Sequence, residues 1–215
     1  MKLQLALDRV TPEDAINIIG RVKKSVDIIE IGTIFIVRFG LIAIREIQKK
    51  YPDIVLLVDT KIVDGGKIET FYASLYGADY ITVLASAEDI TIRNVLDEAK
   101  KHGIKTVVDM IGVENPAKRA SEIDEMGPDY ICAHTAVDVQ KLGGSPFNDY
   151  RSIRGVLKHS GTAIAGGIKL ENLKELKDEP PDILIIGGGI MSSDDIGAAA
   201  QAFRKEIDKM NKWKK

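Results

Sequence analysis

Cysteine is almost missing from this chain: Cys132 stands alone among 215 residues. One cysteine excludes an intramolecular disulfide and any multi-cysteine structural zinc site. Aromatic residues are scarce too, at 6% with a single tryptophan, which argues against a sandwich of aromatic-rich strands. Neither sign of charge dominates, since 30 Lys and Arg meet 32 Asp and Glu for a formal net charge of −2. That balance gives no electrostatic reason to bind nucleic acid or an anionic membrane. The one basic cluster, Lys209 to Lys215 around Trp213, reads as a solvated helix end. No apolar run reaches the roughly 18 residues of a membrane helix, and the opening Met1–Asp8 is charged too soon for a secretory signal. The expectation is a soluble, cytoplasmic protein.

What is present is a chain 45% hydrophobic with 19 glycines, enough for one sizeable core, so residues 1–215 are read as a single domain. Short β-branched runs alternate with amphipathic stretches. Strands are expected at Leu3–Asp8, Asp27–Ile31, Ile54–Asp59, Tyr80–Leu84, Thr106–Met110, Tyr130–Ala133, Thr162–Ala165 and Ile183–Ile186. Helical patterns lie between them, at Thr11–Lys24, Phe35–Lys50, Gly66–Tyr76, Ala87–His102, Asn115–Met126, Asp149–His159, Leu170–Leu176 and Ser193–Met210. Thr11-Pro12-Glu13 carries the cap, first-position and first-turn signals of a helix start. Eight strands each followed by a helix point to an α/β fold, the (β/α)8 TIM barrel. An open doubly wound sheet would carry a Gly-rich turn after its first strand, where Asp8-Arg9-Val10-Thr11-Pro12 stands instead.

Strand side chains alternate between faces, so parity tells what points into the barrel. Gln4, Ala6 and Asp8 share one face; so do Ile28 and Glu30, then Val55, Leu57, Asp59 and Lys61, then Val107 and Asp109, then Tyr130, Cys132 and His134. Asp8, Glu30, Asp59 with Lys61, Asp109 and His134 thus surround the C-terminal mouth, where barrels of this class do their chemistry. Taken alone, Asp8 or Asp109 reads as well as a helix cap or rim ion pair as it does as a functional group; as a constellation the residues read as a site. Four convergent carboxylates repel unless a cation neutralises them. Glu30 and Asp59, on adjacent strands, suit a hard divalent ion with oxygen ligands such as Mg²⁺. Lys61 beside carboxylates stays protonated and suits an oxyanion rather than a Schiff base.

The other histidines, His102 and His159, fall in expected last helical turns and read as structural. Cys132 reads as packed core. Glycine-rich segments close the seventh and eighth strands, Ala165-Gly166-Gly167-Ile168 and Ile186-Gly187-Gly188-Gly189-Ile190. Those two loops are the usual phosphate site of such barrels, so Gly166, Gly167, Gly187 and Gly188 are expected to hold a phosphorylated ligand.

Essentially the whole chain resembles the 3-hexulose-6-phosphate synthase family of the orotidine-5′-phosphate decarboxylase superfamily. The residues that carry the resemblance are Leu3–Asp8, Ile28-Ile29-Glu30-Ile31-Gly32-Thr33, Asp59-Thr60-Lys61-Ile62-Val63-Asp64-Gly65-Gly66, His134-Thr135 and the two glycine segments. The resemblance implies that Glu30 and Asp59 bind Mg²⁺ and that Lys61 stabilises the 1,2-enediolate of D-ribulose 5-phosphate. It further implies that His134 moves a proton, that Asp8 and Asp109 position substrate hydroxyls or Lys61, and that Asp64 reaches a neighbouring subunit's site in a homodimer. The implied reaction is reversible aldol addition of that enediolate to formaldehyde, giving D-arabino-hex-3-ulose 6-phosphate.

Three departures from the family pattern stand out: Phe39 for Glu, Ala136 for Gly, and Ala85-Ser86 for a pair beginning with Gly. They bear on substrate choice more than on reaction type. The related 3-keto-L-gulonate-6-phosphate decarboxylases carry an Arg soon after the histidine and another in the last phosphate loop. His134-Thr135-Ala136-Val137-Asp138 and Gly187-Gly188-Gly189 have neither. A decarboxylase of that kind is the alternative enzyme, and a non-catalytic sugar-phosphate-binding barrel the alternative outside enzymology.

Overall fold

A computed structural model of the chain describes residues 1–212. Trp213 and the two lysines after it, within the basic cluster noted above, lie outside the described residues. Eight parallel strands close into a barrel in sequence order. They are β1 (Lys2–Leu7), β2 (Ile28–Ile31), β3 (Leu56–Ile62), β4 (Tyr80–Leu84), β5 (Lys105–Asp109), β6 (Tyr130–His134), β7 (Gly161–Ala165) and β8 (Ile183–Ile186). The helices are α1 (Pro12–Val22), α2 (Thr33–Phe39), α3 (Ile44–Lys50), α4 (Gly66–Leu75), α5 (Asp89–His102), α6 (Pro116–Asp124), α7 (Val137–Gln140), α8 (Phe147–Arg154), α9 (Gly188–Met191) and α10 (Ile196–Lys212). Among the described residues no helix is long and apolar enough to cross a membrane.

Strand alternation separates two apolar layers. Leu3, Leu5, Leu7, Ile29, Ile31, Val58 and Val83 face outward, against the helices. Ile28, Leu57, Tyr80, Val107, Cys132, Ala163 and Ile183 fill the barrel centre. Thr11 opens α1 with the expected cap, accepting from the Asp14 N–H at 3.1 Å while the Asp14 carboxylate reaches back to Thr11. At the N-terminal rim, Asp27, Asp79, Asp129 and Asp182 each precede an even-numbered strand. Each accepts from a backbone N–H of the strand before it, those of Leu3, Leu56, Thr106 and Thr162, at 2.7–2.9 Å. These four clamps pair the strands at the bottom and so set the level of their upper ends.

Several elements differ from expectation. The stretch Phe35–Lys50 is two helices, because Gly40 takes φ +69° and the chain restarts through a 3₁₀ turn at Leu41–Ala43. α8 ends at Arg154, so His159 sits in the loop before β7 rather than in a last helical turn. There its N–H donates to Asp124, as do those of Lys158 and Ser160. His102 does close α5, 3.1 Å from Glu98. β3 continues past Asp59 to Ile62, so Lys61 belongs to the strand. The segment Leu170–Leu176 is 3₁₀ rather than α-helical.

Candidate active site

The C-terminal mouth of the barrel opens into a cavity of about 470 Å³. Asp8, Glu30, Asp59, Lys61, Asp109 and His134 all line it, as strand parity requires. Gly166, Gly167, Gly187 and Gly188 line it too, from the β7 and β8 loops. Asp64 does not; it is exposed, and its carboxylate accepts from the Gly65 N–H at 2.7 Å.

Lys61 is the centre of the polar array. Its Nζ donates to Asp59 Oδ2 at 2.6 Å and to Asp109 Oδ2 at 3.2 Å. Burial alone would discharge the amine, but the Asp59 and Asp109 carboxylates outweigh it and hold its pKa above the usual lysine value. Lys61 is therefore an ammonium, suited to a developing oxyanion. Asp109, 3% exposed, accepts from the Lys61 ammonium, from His134 Nδ1 at 2.9 Å and from the Ile111 N–H at 3.0 Å. Burial opposes its ionisation, yet the His134 hydrogen bond and the Lys61 ammonium hold its carboxyl below the usual range.

Asp59, 5% exposed, has three side-chain partners. Thr82 Oγ1 donates to Oδ1 at 2.8 Å, and Thr33 Oγ1 lies 2.9 Å from Oδ2, which also takes Lys61. Glu30, 8% exposed, accepts at Oε2 from the Gln4 amide at 2.6 Å. Burial, then the charge of Asp59, pushes Glu30 up to about 8. Burial and Asp59 raise Asp8 as well. The buried thiol of Cys132 lies well above its usual pKa, first through burial and then through Asp109, and stays protonated as core.

Sequence reasoning passed over Thr33, Thr82, Gln140, Lys169 and Ser192; all but Thr33 line the cavity. Parity within β4 places Thr82 beside Tyr80 on the inner face, so that signal was available for it. Gln140 comes from α7, whose four residues leave too short a pattern to read, and its Nε2 donates to the Thr135 carbonyl at 2.8 Å. Gly166 is required where it stands. At φ +100° a β-carbon there would lie 2.3 Å from the Thr135 carbonyl oxygen.

Among the described residues no three His, Cys, Asp or Glu side chains form a protein-only metal cluster. Glu30 and Asp59 are two oxygen donors on neighbouring strands, and beside them Gln4 Oε1 is buried without a hydrogen-bond partner. An all-oxygen donor set with surplus negative charge fits a hard divalent cation that fills its remaining positions with water or substrate oxygens.

The model of the orotidine 5′-phosphate decarboxylase / HUMPS family matches residues 1–203. A 3-hexulose-6-phosphate synthase of Bacillus subtilis is 44% identical over 207 residues, covering 96% of this chain and 99% of the relative. The 1.65 Å crystal structure of 3-hexulose-6-phosphate synthase from Salmonella typhimurium superposes with a TM-score of 0.95 at 37% identity, over 98% of this chain and 100% of that one. The crystal structure of 3-keto-L-gulonate-6-phosphate decarboxylase from Vibrio cholerae has a TM-score of 0.85 at 26% identity, over 97% and 98% of the two chains. This chain belongs to the orotidine 5′-phosphate decarboxylase / HUMPS family.

Proposed function

We propose that this chain is a 3-hexulose-6-phosphate synthase. It joins formaldehyde to D-ribulose 5-phosphate, reversibly, to give D-arabino-hex-3-ulose 6-phosphate. The observation that carries the reading is the Lys61 ammonium, held between Asp59 and Asp109 at the mouth and facing the same cavity as the glycine loops of β7 and β8.

The sugar phosphate binds with its phosphate on the backbone of Gly166, Gly167, Gly187 and Gly188, which places C1 and C2 near Lys61. A proton leaves C1, and negative charge builds on the C1 and C2 oxygens as the 1,2-enediolate forms. Lys61 faces that charge while remaining an ammonium, so its contribution is electrostatic. C1 then attacks the formaldehyde carbon, the new C–C bond forms, and the resulting alkoxide takes up a proton. His134 moves the proton. Its Nδ1 faces the Asp109 carboxylate and so carries hydrogen, which leaves Nε2 as the ring's acceptor. Asp8 orients substrate hydroxyls from β1. Glu30 and Asp59 hold Mg²⁺, which when bound supplies Lewis-acid polarisation of the substrate oxygens.

The functional unit in this reading is a homodimer. Ile68, Phe71, Tyr72 and Leu75 stand exposed on one face of α4, with Val63 exposed just before it. An apolar face of this kind on a helix adjoining the mouth supports burial against a second copy. Asp64 lies beside that face and outside its own cavity, which supports a role in the partner's site.

A decarboxylase acting on a keto-sugar acid phosphate has less support. Among the described residues no arginine lines the cavity, so a substrate carboxylate finds no bidentate guanidinium partner among them. A silent binding barrel would leave the buried Lys61 array without purpose. The test is formaldehyde consumption in the presence of ribulose 5-phosphate, compared with CO₂ release from 3-keto-L-gulonate 6-phosphate; the first occurs and the second does not.

A further inference from the structure

β3 and β4 fall out of register at the point where the chemistry sits. Val58 pairs with Ile81 and Ile62 pairs with Val83, so Asp59, Thr60 and Lys61 together oppose the single residue Thr82. The two extra residues form a bulge that keeps Asp59 and Lys61 on the inner face. Within it Lys61 takes φ +49°, the one non-glycine positive φ among the described residues. An L-residue carries a steric cost in that region and stays there only when its surroundings determine it.

Thr82 supplies that determination. Its Oγ1 accepts the Lys61 backbone N–H at 2.9 Å and donates its own hydrogen to Asp59 Oδ1 at 2.8 Å. Its carbonyl accepts from Thr60 Oγ1 at 3.2 Å. One buried residue, 5% exposed, thus bonds to each of the three bulged residues and stands in for the ladder contacts the bulge removes.

We infer that Thr82 is a positioning residue for the aldol reaction: its hydroxyl, bonded to both the Lys61 backbone and the Asp59 carboxylate, fixes where the Lys61 ammonium meets the enediolate. This rests on the synthase reading. Thr82 acts through Lys61 and Asp59, so its loss is felt in the reacting geometry more than in sugar-phosphate binding, which the glycine loops provide.

Thr82→Val keeps the shape of the side chain and deletes the hydroxyl; Thr82→Ser keeps the hydroxyl and deletes the methyl. The expected result is a kcat about 10²-fold lower in Thr82→Val, because a misplacement on the order of 1 Å at a reacting group costs about that much. KM for ribulose 5-phosphate should stay within about 3-fold of wild type, with kcat restored to within about 3-fold in Thr82→Ser. A crystal structure of Thr82→Val should show Lys61 leaving its positive φ. If Thr82→Val does not fold, Thr82→Ala carries the same comparison. A valine or alanine variant with wild-type kcat, a serine variant as impaired as valine, or an unmoved Lys61 overturns the inference. Wild-type protein that consumes no formaldehyde would fail the synthase reading instead, and the crystallographic arm still decides the role of Thr82.

Discussion

His134 Nδ1 lies 2.9 Å from Asp109 Oδ2, a contact between the ends of adjacent strands β6 and β5. An acceptor-only carboxylate at this distance fixes the imidazole tautomer. Asp109→Asn can present an amide N–H instead and so set the ring the wrong way round, while also removing one counter-charge of Lys61. We expect kcat to fall by about 10² to 10⁴, the usual range for general acid–base catalysis, with the fold intact by circular dichroism. Steady-state kinetics decide it, and a variant with wild-type kcat would remove His134 from proton transfer.

Glu30 gives a pH prediction. Burial and the charge of Asp59 lift it from the ordinary 4.5 to about 8. Its folded pKa is thus above its unfolded one, and the folded state holds the extra proton between the two values. The stability this confers is full below about pH 4.5 and is lost as pH rises to about 8. In EDTA, Tm should therefore decline over that window relative to Glu30→Gln, whose curve lacks this contribution. Mg²⁺ should recover the loss near pH 8 in the wild type and not in the variant. Parallel curves in EDTA for the two proteins would show that Glu30 carries no such shift.

The α4 face makes a prediction about assembly. Phe71→Asp places a charge within an exposed apolar row that includes Ile68 and Leu75. Sedimentation should show wild type as a dimer and the variant as a monomer. Activity should fall with it, since Asp64 then serves no partner site. A variant that remains dimeric would place the interface elsewhere.

Asp124 is 1% exposed and receives the N–H groups of Lys158, His159 and Ser160. Burial works against its charge, but those hydrogen bonds hold its pKa below the ordinary value, so its contribution is present above about pH 4 and fades as pH falls. Asp124→Ala strands three donors at the foot of the barrel and should cost about 3 kcal/mol. For a chain of this length that is a drop in Tm of about 6–12 °C. Because this turn lies far from the mouth, kcat at 25 °C should be unchanged. Calorimetry and kinetics on the same preparation separate the two effects.

The inner face of the barrel was legible because alternation is strict. Asp8, Glu30, Asp59, Asp109 and His134 were placed by counting residues in apolar runs, and each lines the cavity. Lys61 falls on the inner face although the apolar run ends at Asp59, because the bulge adds two residues and so preserves parity. The bulge itself left no periodic trace. It depends on a pairing with Thr82, some twenty residues away in sequence. Gly40 was invisible for a different reason: the apolar spacing of Phe35–Lys50 continues across it, while the break lies in its positive φ. His159 was misplaced because the apolar pattern of α8 outlasts the helix, and Asp124 captures the following backbone.

The synthase reading requires the Lys61 ammonium to stabilise an enediolate of ribulose 5-phosphate that attacks formaldehyde. The direct measurement is formaldehyde loss with ribulose 5-phosphate, for wild type and Lys61→Ala, in Mg²⁺ and in EDTA. Wild type should consume formaldehyde in Mg²⁺ and cease to in EDTA, and Lys61→Ala should be slower by at least about 10²-fold. Folded, Mg²⁺-replete wild type that consumes no formaldehyde, or a Lys61→Ala variant as active as wild type, would contradict it.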